Sequence, residues 1–184
     1  MIEELLQRIA TALDQQALPY MIIGGQAVLL YGEPRLTKDI DITLGAGIER
    51  LPDALAAARA AVLTPLVDPE DFARRTMVLP CADHQSGMRV DFIFSFSPFE
   101  QLAISRARTV KIGEVELRFA SVEDLIIHKM IAGRARDLED VKSILLKNPA
   151  IDFGYVRKWL RDFSSTTGVS HEEQLNEIRR SLAT

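Results

Sequence analysis

Tyr20–Leu44 reads YMIIGGQAVLLYGEPRLTKDIDITL. The spacing predicts an apolar strand, a break at Gly24-Gly25, a short helix ending near Tyr31, and a second strand carrying Asp39 and Asp41. Side chains alternate along a strand, so the two acids share one face and Ile40 and Ile42 take the other. Two carboxylates with Cβ atoms roughly 7 Å apart on a rigid strand make a poor core and a good seat for a hard divalent cation. The glycines have a matching use. Gly25 opens the helix, whose free N–H groups attract phosphate oxygens, and the missing Cβ lets phosphate approach the backbone. A phosphate cradle followed by a carboxylate pair suits a nucleoside triphosphate (NTP) bound with Mg²⁺.

The composition is that of an ordinary globular chain of 184 residues, long enough for a sizeable hydrophobic interior. A net charge of −4 without a basic half argues against non-specific nucleic-acid binding, and leaves an RNA substrate only a local basic patch. One cysteine, Cys81, excludes an internal disulfide and a cysteine-built zinc cage. His84, His128 and His171 have no metal-ligand spacing. No stretch reads as a membrane span or signal peptide, so a cytoplasmic location is expected and no membrane partner.

Outward from the central stretch, residues 2–17 place Ile2, Leu5, Leu6, Ile9 and Leu13 on one helical stripe, stopped by Pro19. Beyond the acid strand, an alanine-rich helix is expected over about 48–62 and a loop with two prolines over 64–75. Strands are expected over 76–80 and over Met88–Phe96, a helix over 98–106, and a hairpin turning at Gly113-Glu114. In the second of those strands Val90, Phe92 and Phe94 line one face, and Arg89, Asp91 and Ile93 the other. Asp91 is a carboxylate in an apolar strand and needs a partner, either an arginine such as Arg89 or a metal; the metal is favoured.

From Ser121 the period is helical. Ser121 with Asp124 reads as a cap opening a helix to about Ala132, and further helices are expected over about 136–147, over 152–164 and after Ser170. Lys129 and Asp137 both fall inside apolar arcs, which points to their pairing with each other or to a snorkelling lysine.

Gly24-Gly25 followed by Asp39-Ile40-Asp41-Ile42 resembles the signature of the DNA polymerase β-like nucleotidyltransferase superfamily. The detail Gly32…Arg35-Leu36-Thr37-Lys38-Asp39-Ile40-Asp41-Ile42 looks most like its AbiEii-type branch of toxin-related and uncharacterised bacterial proteins. The resemblance covers roughly residues 18–147. It implies an α/β (α+β) fold: a small mixed β-sheet nucleotidyltransferase core over 1–119, with flanking helices, and a C-terminal helical bundle over 120–184. It implies an enzyme that moves a nucleoside monophosphate from an NTP to an acceptor (RNA, protein or small molecule).

By this resemblance Asp39, Asp41 and Asp91 hold two Mg²⁺ (or Mn²⁺) ions. Gly24 and Gly25, with Arg35 and Thr37, hold the β- and γ-phosphates. The branch also carries a helical lysine and an R-x-K-D-x-x-D-like run. These correspond here to Lys129 and Arg134-Ala135-Arg136-Asp137-Leu138-Glu139-Asp140, with arginine before the first aspartate in place of the usual lysine. Lys129 is carried over as a triphosphate contact and Asp137 as a base or orienting group, with Asp140 projecting further from the stripe. Two rival readings use the same residues: a non-catalytic binding or regulatory module with an antitoxin-type protein partner, and a metal-dependent phosphodiesterase acting on water.

Overall fold

The computed structural model describes residues 2–95 and 97–182. The chain divides into two compact units, one formed by residues 1–26 and 36–120, the other by 27–35 and 121–184.

The first unit carries a seven-stranded mixed sheet, so the α/β architecture expected from the sequence is the one observed. Its strands are β1 (Tyr20–Ile23), β2 (Asp39–Leu44), β3 (Thr64–Pro65), β4 (Val78–Ala82), β5 (Arg89–Phe94), β6 (Arg108–Ile112) and β7 (Val115–Phe119), in the order β3-β4-β5-β2-β1-β7-β6. The pairs β2–β5 and β1–β7 are parallel; the others are antiparallel. β1 and β2 run at the centre, so Ile22, Ile40 and Ile42 are buried and the alternation in D-I-D-I is used as expected. Helix α1 (Ile2–Gln15) packs its Leu5-Leu6-Ile9-Leu13 stripe against α3 (Leu51–Ala60) and β7. Helix α2 (Gly24–Tyr31) follows β1 directly.

Three boundaries differ from expectation. Residues 64–75 are not a loop: Thr64–Pro65 pair with β4, and Pro69–Thr76 form helix α4. Pro69 stands in the first turn, where its missing N–H costs nothing, and Asp68 caps the helix by accepting the Asp71 N–H. A proline that reads as a breaker is here a starter. The strand expected over 76–80 lies at Val78–Ala82 instead, because Met77 ends α4 in a left-handed conformation. The strand expected over Met88–Phe96 is β5, Arg89–Phe94; Phe96 lies outside the described residues. Ser97 caps α5 (Pro98–Ser105), and the hairpin turns at Gly113-Glu114 as expected.

The second unit is helical: α6 (Val122–Ala132), α7 (Ala135–Lys147), α8 (Phe153–Thr167) and α9 (His171–Leu182). The Ser121 hydroxyl accepts the Asp124 N–H and donates to the Asp124 carboxylate, and Gly133 closes α6 in the left-handed conformation. Leu125, Ile126, Val141, Ile144, Val156, Leu160 and Leu175 form its core. Residues 27–35 are tied into this unit by side chains of α7 and the residue after it. Asn148 and Lys147 donate to the carbonyls of Tyr31 and Gly32, and Gly32 lies so close to Ser143 that a Cβ would stand 2.6 Å from its hydroxyl. Among the described residues no helix is long and apolar enough to cross a membrane.

Candidate active site

The acids of the first unit are positioned by backbone pairing. Parallel register sets Asp41 of β2 beside Asp91 of β5, and Asp39 beside Arg89. All four side chains therefore project from one face of adjacent strands. On the other side of β2, Asp41 pairs with Ile23, the last residue before Gly24. The carboxylate of Asp41 lies against Gly24: a Cβ built there would stand 2.0 Å from Oδ2, and Gly24 holds a φ of +63°. Glycine is required here twice, for the conformation and for the close approach. Gly25 meets Thr37 in the same way, with a would-be Cβ 2.6 Å from Oγ1. The Thr37 hydroxyl donates to the Asp39 carbonyl, and the Lys38 N–H to Asp39 Oδ1. Carboxylates, glycine pair and the first turn of α2 thus share one neighbourhood of one unit.

Asp91 has a partner on its own strand. It is half-buried, with its side chain 17% exposed, and its Oδ1 accepts a 2.8 Å hydrogen bond from Nε of Arg89, which is 52% exposed. The hydrogen bond to Asp91, with the charges of Asp91, Asp39 and Asp41, holds the Arg89 guanidinium above its ordinary pKa. The arginine weighed as a partner for Asp91 is thus within hydrogen-bond reach of it. In these side-chain positions no three His, Cys, Asp or Glu residues among those described converge closely enough to hold an ion. The donor set fits a hard divalent cation in kind: three carboxylates project from one face of two register-paired strands, and the missing Cβ of Gly24 leaves the space that Asp41 fills.

The remaining expected residues lie in the second unit and are joined to one another. Lys129 is buried, and its Nζ donates at 2.8 Å both to Asp137 Oδ1 and to Asp140 Oδ2. Arg134 donates to Asp137, and Arg35 forms a two-pronged pair with Asp140 at 2.8 and 2.9 Å. Burial would raise the pKa of both aspartates, but the hydrogen bonds from Arg134 and Lys129, and from Arg35 and Lys129, more than offset it, so both lie below the ordinary 3.8. The pairing of Lys129 with Asp137 is the plain alternative weighed for these residues. Arg35, expected on phosphate, is held by Asp140, and Asp140 is buried rather than projecting. Three residues apart on α7, Asp137 and Asp140 share a face, and a guanidinium matches a carboxylate in two hydrogen bonds.

Sequence reasoning did not anticipate the Arg35–Asp140 pair, which joins residues 105 apart and leaves no local signal. It also passed over Gln26, which follows the glycine pair, is buried, and has an Nε2 without a partner among the described residues.

A family model described as nucleotidyltransferase of unknown function (DUF6036) matches residues 1–183. No curated protein matches the chain. The solution structure of the antibiotic-resistance factor ANT(2'')-Ia superposes with a TM-score of 0.58 at 16% identity, over 93% of this chain and 97% of that one. The crystal structure of ANT(2'')-Ia in complex with adenylyl-2''-tobramycin gives 0.56 at 16% identity, over 98% and 96%. An antigenic nucleotidyltransferase-like protein from Paracoccidioides brasiliensis gives 0.55 at 14% identity, over 89% and 88%. At these identities the likeness is one of fold.

Proposed function

The chain belongs to the family of nucleotidyltransferases of unknown function (DUF6036), and within that class we propose a metal-dependent transfer of a nucleoside monophosphate from an NTP to an acceptor hydroxyl. The observation that carries this reading is the contact of the Asp41 carboxylate with Gly24. It sets the acidic strand face directly against the first turn of a helix. Asp39, Asp41 and Asp91 would hold two Mg²⁺ or Mn²⁺ ions. When bound, such ions polarise the α-phosphate, assist departure of pyrophosphate and lower the pKa of the acceptor hydroxyl.

The chain's own contribution is placement. Backbone N–H groups at the start of α2 would receive phosphate oxygens, and the Thr37 hydroxyl stands beside Gly25. The acceptor oxygen bonds to the α-phosphorus as the bond to pyrophosphate breaks, and the hydroxyl proton leaves to solvent, which reaches the exposed Asp39 end of β2. Lys129, Asp137 and Arg35 are better explained as the closed ionic cluster that holds the helical unit than as ligands of the triphosphate. The run Arg35-Leu36-Thr37-Lys38-Asp39-Ile40-Asp41-Ile42 supports an affinity with the AbiEii-type branch.

The test measures thermal stabilisation by each NTP with and without Mg²⁺, then transfer of label from α-labelled NTP to RNA, protein and small hydroxylated acceptors. Asp39→Asn and Asp41→Asn are each expected to lower transfer about a hundredfold or more while leaving the melting profile intact. Retained transfer in both variants would sink the assignment. One observation favours the non-catalytic reading, namely that Asp91 already has a cationic partner in Arg89. That reading predicts no NTP stabilisation in wild type. Release of free nucleotide with no labelled acceptor would instead identify a phosphodiesterase.

A further inference from the structure

Among the described residues, Arg89 is the only cationic one that the strand pairing puts directly into the register of the three carboxylates. It stands opposite Asp39 across β2–β5, two residues before Asp91 on the same face. Its Nε donates to Asp91 Oδ1 at 2.8 Å, and the charges of Asp39 and Asp41 act on it as well. Its side chain is half in solvent, so nothing in the packing forces the guanidinium onto Asp91. A guanidinium and a divalent cation are alternative occupants of the same acidic face, because each satisfies the same oxygens and two positive groups at one carboxylate repel. An arginine has a fixed charge and cannot vacate the site by losing a proton; it leaves only by moving.

On the reading that these carboxylates bind metal, we propose that Arg89 is the built-in competitor of the divalent cation. In the cation-free chain it neutralises the acidic face and holds Asp91 away from Asp39 and Asp41. Binding of the cation requires Asp91 to exchange Arg89 for the metal. Arg89 is therefore a positioning residue that sets cation affinity.

The test is calorimetric titration of Mn²⁺, without nucleotide, into the full chain carrying Arg89→Met, Arg89→Lys or Asp41→Asn, beside wild type, with a melting curve for each. Arg89→Met removes the competing charge, and its Mn²⁺ affinity is expected to rise about fivefold. Arg89→Lys keeps the charge and is expected within about twofold of wild type. Asp41→Asn is expected to lose binding. If wild type binds Mn²⁺ and Asp41→Asn does not, but Arg89→Met binds no more tightly, the competitor role is overturned while the metal site stands. An equal gain in Arg89→Lys and Arg89→Met overturns it too, since charge would then not be what competes. If none of the four proteins binds Mn²⁺, the competitor role and the metal-dependent reading fall together.

Discussion

At Gly24 one hydrogen atom in place of a side chain decides where a carboxylate can stand. An alanine there would have to adopt a φ of +63° and place its Cβ 2.0 Å from Asp41 Oδ2, a separation real Cβ atoms do not show. The carboxylate is the free end of a side chain, so it would swing away rather than unfold the strand. Gly24→Ala is therefore expected to destabilise the chain by only about 1–2 kcal/mol in urea unfolding, yet to lose most of its transfer activity. Activity close to wild type would mean that the position of Asp41 does not matter to the reaction. Gly25 faces Thr37 without a positive φ, so its tolerance depends only on whether the threonine can turn.

Between elements, the ion cluster of α6 and α7 is the counterpart of the acidic face on β2 and β5, and the contrast is instructive. On the sheet, one half-exposed arginine bonds Asp91 and stands in register with Asp39. In the helices two buried carboxylates share Lys129, and each has an arginine of its own. The helical cluster is closed, as buried charges must be if they are not to cost several kcal/mol each. Lys129→Met would leave Asp137 and Asp140 buried with only their arginines. It is expected to lower stability by about 3 kcal/mol, measured by denaturant unfolding, with transfer retained at temperatures where the chain stays folded. Transfer lost in a variant of undiminished stability would overturn the structural role of Lys129.

For the molecule as a whole, the same carboxylates set an acid limit. Asp137 and Asp140 lie below the ordinary 3.8 when folded. A depressed carboxylate stabilises the fold fully above its unfolded pKa and loses that contribution as pH falls through the folded one. Glu172, held down by the Arg161 hydrogen bond, acts in the same direction. Trp159, the chain's one tryptophan, lies in α8 against Phe163 and reports on the helical unit. Urea unfolding followed by its fluorescence is expected to give constant stability between pH 7 and pH 5 as far as these groups contribute, and a progressive loss below about pH 4. In Lys129→Met the acid limb should be shallower, because the two carboxylates lose part of what depresses them. An unchanged limb would show that Lys129 is not what holds them ionised.

The sequence by itself determined what depends on neighbours along the chain. The D-I-D-I alternation put the acids on one face, the glycine pair opened α2 after β1, Ser121 capped α6, and the change from period two to a helical period marked where strands end. These are local preferences, and the backbone obeyed them. It also led to the nucleotidyltransferase class through residues only a few positions apart. Where a local signal had two physical meanings, it misled: Pro69 starts a helix although a proline equally well breaks one. Only the tertiary structure decided which charge meets which. The parallel register put Asp91 beside Asp41 and Arg89 beside Asp39, and folding joined Arg35 to Asp140 over a separation of 105 residues. Ion pairs are settled by geometry at about 3 Å, and a sequence carries no distances between residues that its backbone does not hold close.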